Sequence, residues 1–213
     1  MLEKLNIQTE FIDGQRVTTP EVMRIVEMIL SGEINSGIVS LLNAHSAKAI
    51  GVSGKDAHFI MAEPKEHAKW GLTGTITGVK AEVIHNLIHE KFVPVIAPIA
   101  AGDTMGHPGY NINADLAASQ VAKAIGANKV IFLTDTPGVL DNDKKLLSTL
   151  SEAQVEELKA DGTINGGMVP KVDACLEAIE GGVQKAHIID GRVEHSILLE
   201  LFTSEGIGTQ ITL

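Results

Sequence analysis

Short β-branched runs alternate with longer stretches of helical periodicity along the whole chain, and no other feature limits the fold as much. That alternation predicts an α/β fold with a largely parallel sheet. Strands are expected at residues 48–52, 58–62, 93–97, 130–133, 186–189 and 209–213. Asp13-Gly14, inside residues 11–17, signals a two-residue hairpin, because a type I′ turn needs φ > 0. Thr19 then caps a helix with Pro20 in its first position, where the missing N–H does no harm. Val22, Ile25, Val26, Ile29 and Leu30 give that helix one apolar face, and Ile34, Ile38, Leu41 and Leu42 mark a second helix. Gly71, Gly74 and Gly78 interleave with Thr73, Thr75 and Thr77, which reads as a surface hairpin over residues 69–79. Further helices are expected at 81–91, from Asn113 to a stop at Gly126, after a Ser151/Gln154 capping box, from Pro170, and at 195–202. The Pro170 helix presents Val172, Cys175, Leu176 and Ile179 as a core face. No internal repeat or low-complexity linker occurs, and the one subtle boundary falls near residues 126–128, dividing the chain into 1–127 and 128–213.

Composition removes several classes of function. The chain of 213 residues carries a formal charge of −10, which repels polyphosphate at long range and excludes a nucleic-acid-coating role. An apolar fraction of 44% with 21% charged residues excludes wholesale disorder. A single cysteine, Cys175, excludes an intramolecular disulfide framework and a Cys-rich zinc site. No run of 18 uninterrupted apolar residues exists and Met1-Leu2-Glu3-Lys4 is no signal-peptide start, so a cytoplasmic protein without a membrane partner is expected.

Four segments carry candidate chemistry. Tyr110-Asn111-Ile112-Asn113-Ala114-Asp115 lies where a glycine-rich loop, residues 101–110, enters a helix. Asn side chains there can bond a carboxylate or amide, and Asp115 sits where the helix dipole favours its charge. An ordinary capped helix start fits the same residues. Thr134-Asp135-Thr136-Pro137-Gly138-Val139-Leu140 follows a buried strand, at the end where open α/β sheets hold ligands, although many such strands end in a polar turn. Thr163-Ile164-Asn165-Gly166-Gly167-Met168-Val169-Pro170-Lys171 runs into a helix N-terminus whose N–H groups suit an anion. Lys171 opposes the helix dipole by roughly 0.3–1 kcal/mol unless an anion sits between them, so it is either an anion-binding lysine or an inconsequential one. Arg16, on the hairpin, offers a planar fork for a carboxylate, or is simply solvated. Neither common phosphate loop is present. His85 and His89 lack the intervening Glu of a zinc protease motif, Cys175 reads as core, and residues 53–56 read as a turn.

In order and spacing, Asp13-Gly14-Gln15-Arg16-Val17-Thr18, Gly54-Lys55-Asp56, Tyr110-Asn111-Ile112-Asn113-Ala114-Asp115, Thr134-Asp135-Thr136-Pro137-Gly138-Val139-Leu140, Gly166-Gly167-Met168-Val169-Pro170-Lys171 and Glu194-His195-Ser196 resemble the N-acetylglutamate kinases of the amino-acid kinase family. The resemblance runs from residue 1 to the C-terminus. It implies a three-layer αβα sandwich around a mainly parallel sheet, with an acyl-amino-acid and dimerisation lobe first and a nucleotide lobe second. The implied reaction moves the γ-phosphoryl group of ATP, arriving with Mg²⁺, to the side-chain carboxylate of N-acetyl-L-glutamate. By the same resemblance Arg16 clamps the substrate α-carboxylate, while Asn111 and Asn113 hold its acetamido end. Lys171 stabilises negative charge on the leaving side, and Asp115 orients the catalytic lysines. Asp135, Thr136, Pro137, Gly138, Val139 and Leu140, with Thr163, Ile164 and Asn165, line the adenine and ribose site.

Two motifs of that family, Lys-x-Gly-Gly and His-Gly-Gly-Gly, do not occur in the chain. The expectation is therefore a sheet lacking two central strands and a chain that is a poor kinase by itself, each lost donor costing on the order of 10²–10³ in rate. A homodimer through residues 20–31 is implied, and a hexamer built by an extra N-terminal helix is not expected. A non-catalytic binding module that keeps the nucleotide or acyl-amino-acid pocket is the alternative, and N-acetyl-aminoadipate or aspartate in place of acetylglutamate is a third reading.

Overall fold

A computed structural model describes residues 1–12, 15–65, 68–203 and 206–213. The chain forms two compact units, Met1–Ala117 and Ala118–Leu213, and the division falls within a helix rather than in the loop at 126–128.

In the first unit, β1 (Phe11–Ile12) pairs antiparallel with β2 (Gln15–Arg16), so the expected hairpin pairing is present. Its Asp13-Gly14 turn lies outside the described residues. Thr19 Oγ1 accepts from Val22 N at 3.2 Å and opens α1 (Pro20–Glu27). A π-helical stretch, Met28–Ile34, joins α1 to α2 (Asn35–Ala44), so the two expected helices are one continuous run. By length and composition alone that run, Pro20–Ala44, is apolar enough to cross a membrane. Glu21, Arg24, Glu27 and Glu33 interrupt it, and its apolar residues form a stripe rather than a sleeve. Val22 and Met23 are buried, whereas Met28, Ile34, Ile38 and Leu41 are exposed.

β3 (Ala49–Ser53) pairs in parallel with a strand more than 40 residues on, described below as β6. β4 (Ile60–Pro64) and β5 (Gly74–Val79) form an antiparallel pair. The glycine–threonine segment is thus not a surface hairpin of its own. Trp70, ahead of β5, is buried, and Gly71 at φ +59° brings its backbone against Thr18, where a Cβ would stand 2.3 Å from the Thr18 carbonyl oxygen. α3 (Ala81–His89) leads to β6 (Val93–Ala97), and β7 (Ile99–Ala100) pairs antiparallel with β8 (Tyr110–Asn111). His85 and His89 are exposed on α3. α4 (Ala114–Ala124) follows, and Gly126 ends it at φ +64°.

The second unit is built on a four-stranded sheet in the order β10–β12–β11–β9. Its members are β9 (Lys129–Thr134), β10 (Thr149–Ser151), β11 (Lys185–Asp190) and β12 (Thr209–Thr212). Two of its three pairings are parallel; β11 and β12 run antiparallel. The Ser151/Gln154 capping box opens α5 (Glu152–Ala160), and Pro170 lies in the first turn of α6 (Val169–Glu180). Val172, Cys175, Leu176 and Ile179 of α6 pack with Val130, Phe132, Ala186, Ile188 and Ile211 in one core. His187 alternates to the other sheet face, where it meets Glu200 of α7 (Ser196–Phe202), so helices cover both faces of β11. This is the layered α/β arrangement that the sequence pattern predicts.

Candidate active site

A cavity of about 510 Å³ in the first unit brings Arg16 and Asn111 together, although 95 positions separate them in the sequence. Ile25, Val26, Ile29 and Leu30, from the helix that starts at Pro20, give it an apolar wall. The Arg16 guanidinium lies 4.4 Å from the centroid of the Phe11 ring, a cation–π contact that limits where its fork can point. Glu3 and Thr9 also line it, and a single cation with one amide against an apolar wall suits a short, acylated carboxylate better than a polyphosphate.

A buried polar relay holds these residues. Segment 71–73 lies between strand β2's end and β8, bridging Thr18 to Gly71 and Thr73 to Asn111. Leu72 donates its N–H to the Thr18 carbonyl at 2.6 Å, and its own carbonyl accepts from Asn111 N at 2.8 Å. Among side chains, Asn111 Nδ2 donates to Thr18 Oγ1 at 3.1 Å. The Thr18 and Thr73 hydroxyls are 2.9 Å apart, and Thr73 Oγ1 donates to the Arg16 carbonyl at 2.5 Å. Thr18 and Thr73 are 0% and 2% exposed, so these bonds compete with no water. The sequence gives neither threonine a site role: Thr18 stands in a family motif and Thr73 in the expected hairpin.

Lys55 ties two further pieces together: its ammonium bonds Glu27 Oε1 at 2.6 Å and the Pro108 carbonyl at 3.1 Å. It thereby anchors the glycine-rich loop ahead of β8. The Tyr110 ring stacks on His107 at 4.5 Å, and burial, with Asp103 and Glu63 adding negative charge, pushes its phenol pKa up. Asn113 caps α4: its Oδ1 accepts from Asp115 N at 2.9 Å and Leu116 N at 3.1 Å. Its carbonyl oxygen is thus committed to the helix, which leaves its amide N–H groups for any ligand. Asp115 is half-buried in the first turn of that helix.

The second unit holds the other candidates. Asp135 is exposed just beyond β9. Gly138 adopts φ +147°, and a Cβ there would stand 2.6 Å from Thr209 Oγ1. Val139 donates its N–H to that same hydroxyl at 2.8 Å and is buried, so Gly138 and Val139 shape the loop from within. Thr136 is half-buried, Pro137 is exposed, and Leu140 bridges to Leu146. Ile164 is likewise core, while Thr163 and Asn165 fold the preceding turn through Asp161 Oδ1 (2.8 Å to Thr163 N) and the Gly162 carbonyl (2.8 Å from Asn165 Nδ2). Lys171 occupies the first turn of α6, behind the Gly166–Met168 turn, and is half-buried.

Asp190, unmarked by the sequence reading, closes β11 in register with Thr134 of β9. Arg192 bonds its two oxygens at 2.9 and 2.8 Å, and the Arg192 guanidinium lowers the Asp190 pKa to about 2. The negative charge of Asp135 also raises the Arg192 pKa, so the ends of β9 and β11 share one electrostatic neighbourhood. An Asp-Gly-Arg turn directly after an apolar strand was the available signal. Among the described residues no three His, Cys, Asp or Glu side chains cluster as a metal cage.

The amino acid kinase family model matches residues 1–190. An acetylglutamate kinase from Sulfurimonas denitrificans is 76% identical over 213 residues, all of this chain and 75% of the relative. One from Nitratiruptor sp. is 71% identical over 211 residues, 99% of this chain and 74% of the relative. Among solved structures, an N-acetylglutamate synthase from Neisseria gonorrhoeae superposes with a TM-score of 0.87 at 23% identity, over 99% of this chain and 48% of that one. This last likeness concerns the fold alone.

Proposed function

This chain belongs to the amino acid kinase family, and from that premise we propose that it phosphorylates the side-chain carboxylate of N-acetyl-L-glutamate with ATP, the kinase step of arginine biosynthesis. One of the carboxylate oxygens attacks the γ-phosphorus, the bond to the β–γ bridging oxygen breaks, and acyl phosphate and ADP result. The observation that carries the substrate side is the meeting of Arg16 and Asn111 on one half-apolar cavity. There Arg16 clamps the α-carboxylate, and Asn111, with the amide N–H of Asn113, holds the acetamido group. Family likeness along all 213 residues, to relatives named for the kinase, favours catalysis over a non-catalytic binding module.

Phosphoryl transfer of this kind is mostly positioning and charge neutralisation. In the reading proposed here, residues 1–127 hold the acyl amino acid and 128–213 the nucleotide. Lys171 neutralises the leaving ADP oxygen and Asp115 orients the cationic groups. Asp135–Leu140 and Thr163–Asn165 border adenine and ribose, and Mg²⁺ enters with ATP to offset phosphate charge. A homodimer in the cytoplasm completes the proposal; within the expected face, residues 20–31, Met28 is exposed, and the exposed Ile34, Ile38 and Leu41 carry the apolar surface beyond it, which is costly to leave in water.

The test is ATP- and acetylglutamate-dependent acyl phosphate, trapped as the hydroxamate. Turnover that falls by about 10²–10³ in Lys171→Ala and shows a raised KM for acetylglutamate in Arg16→Ala supports the assignment. Equal turnover in wild type and Lys171→Ala contradicts it.

A further inference from the structure

Asn111 can present either its amide nitrogen or its carbonyl oxygen to a ligand, and the geometry around Thr18 and Thr73 decides which. Thr73 donates to the Arg16 backbone carbonyl, which can only accept. The single Thr73 proton being used there, the Thr73 oxygen accepts, and Thr18 donates with two acceptors in reach, the Thr73 oxygen at 2.9 Å and the Arg16 carbonyl at 3.3 Å. With its own proton committed, Thr18 Oγ1 accepts in turn, and the partner it accepts from is Asn111 Nδ2 at 3.1 Å. Both hydroxyls converge on the Arg16 carbonyl, and that acceptor sets the direction of the relay. The reverse Asn111 orientation would set its carbonyl oxygen against a lone pair of Thr18 in a place without water.

We infer that Thr18 and Thr73 are positioning residues that lock the Asn111 amide so that its Oδ1 is offered to an N–H donor of the ligand. This deepens the proposed reading of the same cavity and rests on it. The site would thus be built to recognise the secondary-amide N–H of an N-acylated amino acid, and to disfavour an analogue whose linking atom can only accept. Arg16 is coupled to the same relay through its backbone, so one pair of buried hydroxyls sets both ends of the polar wall.

The experiment measures calorimetric binding of two ligands to the purified chain: N-acetyl-L-glutamate and (S)-2-acetoxyglutarate, in which an ester oxygen replaces the N–H. Wild type should prefer the amide by about tenfold or more, the scale of one buried hydrogen bond set against a lone-pair clash. Thr18→Val should bring that preference to within about twofold; Thr73→Val, which leaves Thr18 the Arg16 carbonyl as acceptor, should lower it less, and Thr73→Ser, which keeps the hydroxyl, retains it. A purely structural threonine would weaken both ligands equally and leave their ratio unchanged. A ratio unaltered in both valine variants, whose folding is checked by circular dichroism, overturns the inference and leaves the cavity assignment standing. A wild type that binds neither ligand overturns the cavity assignment, and the inference with it.

Discussion

The two units of this chain are held together in different ways. The second has a closed core: Val172, Cys175 and Ile179 from one helix meet Val130, Phe132, Ala186, Ile188 and Ile211 from three strands. The first spreads its backbone over separate two-stranded pairs, and Ile50, Val52, Val95 and Ile96 of its parallel pair are half-exposed. Phe59, Met23, Ile60, Ile84 and Ile99 are nonetheless fully buried there, and polar contacts between distant segments add to that packing: the Thr18–Thr73–Asn111 relay, Lys55 with Glu27, and Asn35 Nδ2 donating to the Val95 carbonyl at 2.8 Å. Apolar packing is non-directional and tolerates repacking, whereas a hydrogen-bond relay fixes orientation. The lesson is that both units rest on packed area, and the first is in addition specified by direction.

The largest effects should separate the units by where a large apolar side chain is cut back. Ile188→Ala, at 0% exposure, should cost about 2–5 kcal/mol in denaturant unfolding, because a cavity opens in a closed core. Ile50→Ala, half in water already, should cost no more than about 1–2 kcal/mol, and equal costs would erase the contrast. Gly138→Ala comes next. Its φ of +147° and the 2.6 Å approach of Thr209 Oγ1 predict a loss of about 1–3 kcal/mol, together with weaker ATP binding.

Acid should act on the second unit through Asp190. Its folded pKa, about 2, lies below the ordinary carboxylate value, so its contribution is fully present above pH ~4 and is lost as pH falls toward 2. Thermal unfolding of Asp190→Asn should therefore vary less with pH over that window than wild type, and an identical profile would remove Asp190 from the account. The smallest expected effect on stability is that of Leu41→Glu, within about 0.5 kcal/mol, because the residue is 66% exposed. Its effect on the proposed dimer should be large: light scattering should show one chain's mass for Leu41→Glu, against two for the wild type if the dimer proposal holds.

What the sequence made legible follows the same division. In the second unit the signals are local: the Ser151/Gln154 capping box, Pro170 in the first turn, and a four-residue stripe on α6 all form as the spacing predicts. The family motifs likewise placed Arg16 and Asn111, which the fold brings to one cavity. The first unit hid more, because its decisive contacts join residues 55 and 93 positions apart, and no periodicity encodes such pairs. Thr73 was read within a surface hairpin for that reason, yet it is 2% exposed. The π-helical stretch at Met28–Ile34 was equally invisible, since it merges two patterns of ordinary helical spacing into one helix. Asp190 was overlooked because a carboxylate ending a strand resembles any polar turn until its register with Thr134 is known.

The most direct test of the division is amide hydrogen exchange with each ligand added separately. N-acetyl-L-glutamate should slow exchange in residues 16–18, 71–73 and 110–113, and Mg²⁺–ATP should slow it in 134–140 and 163–171. Protection of the first set by ATP, or of the second by N-acetyl-L-glutamate, would contradict the assignment of substrate to one unit and nucleotide to the other.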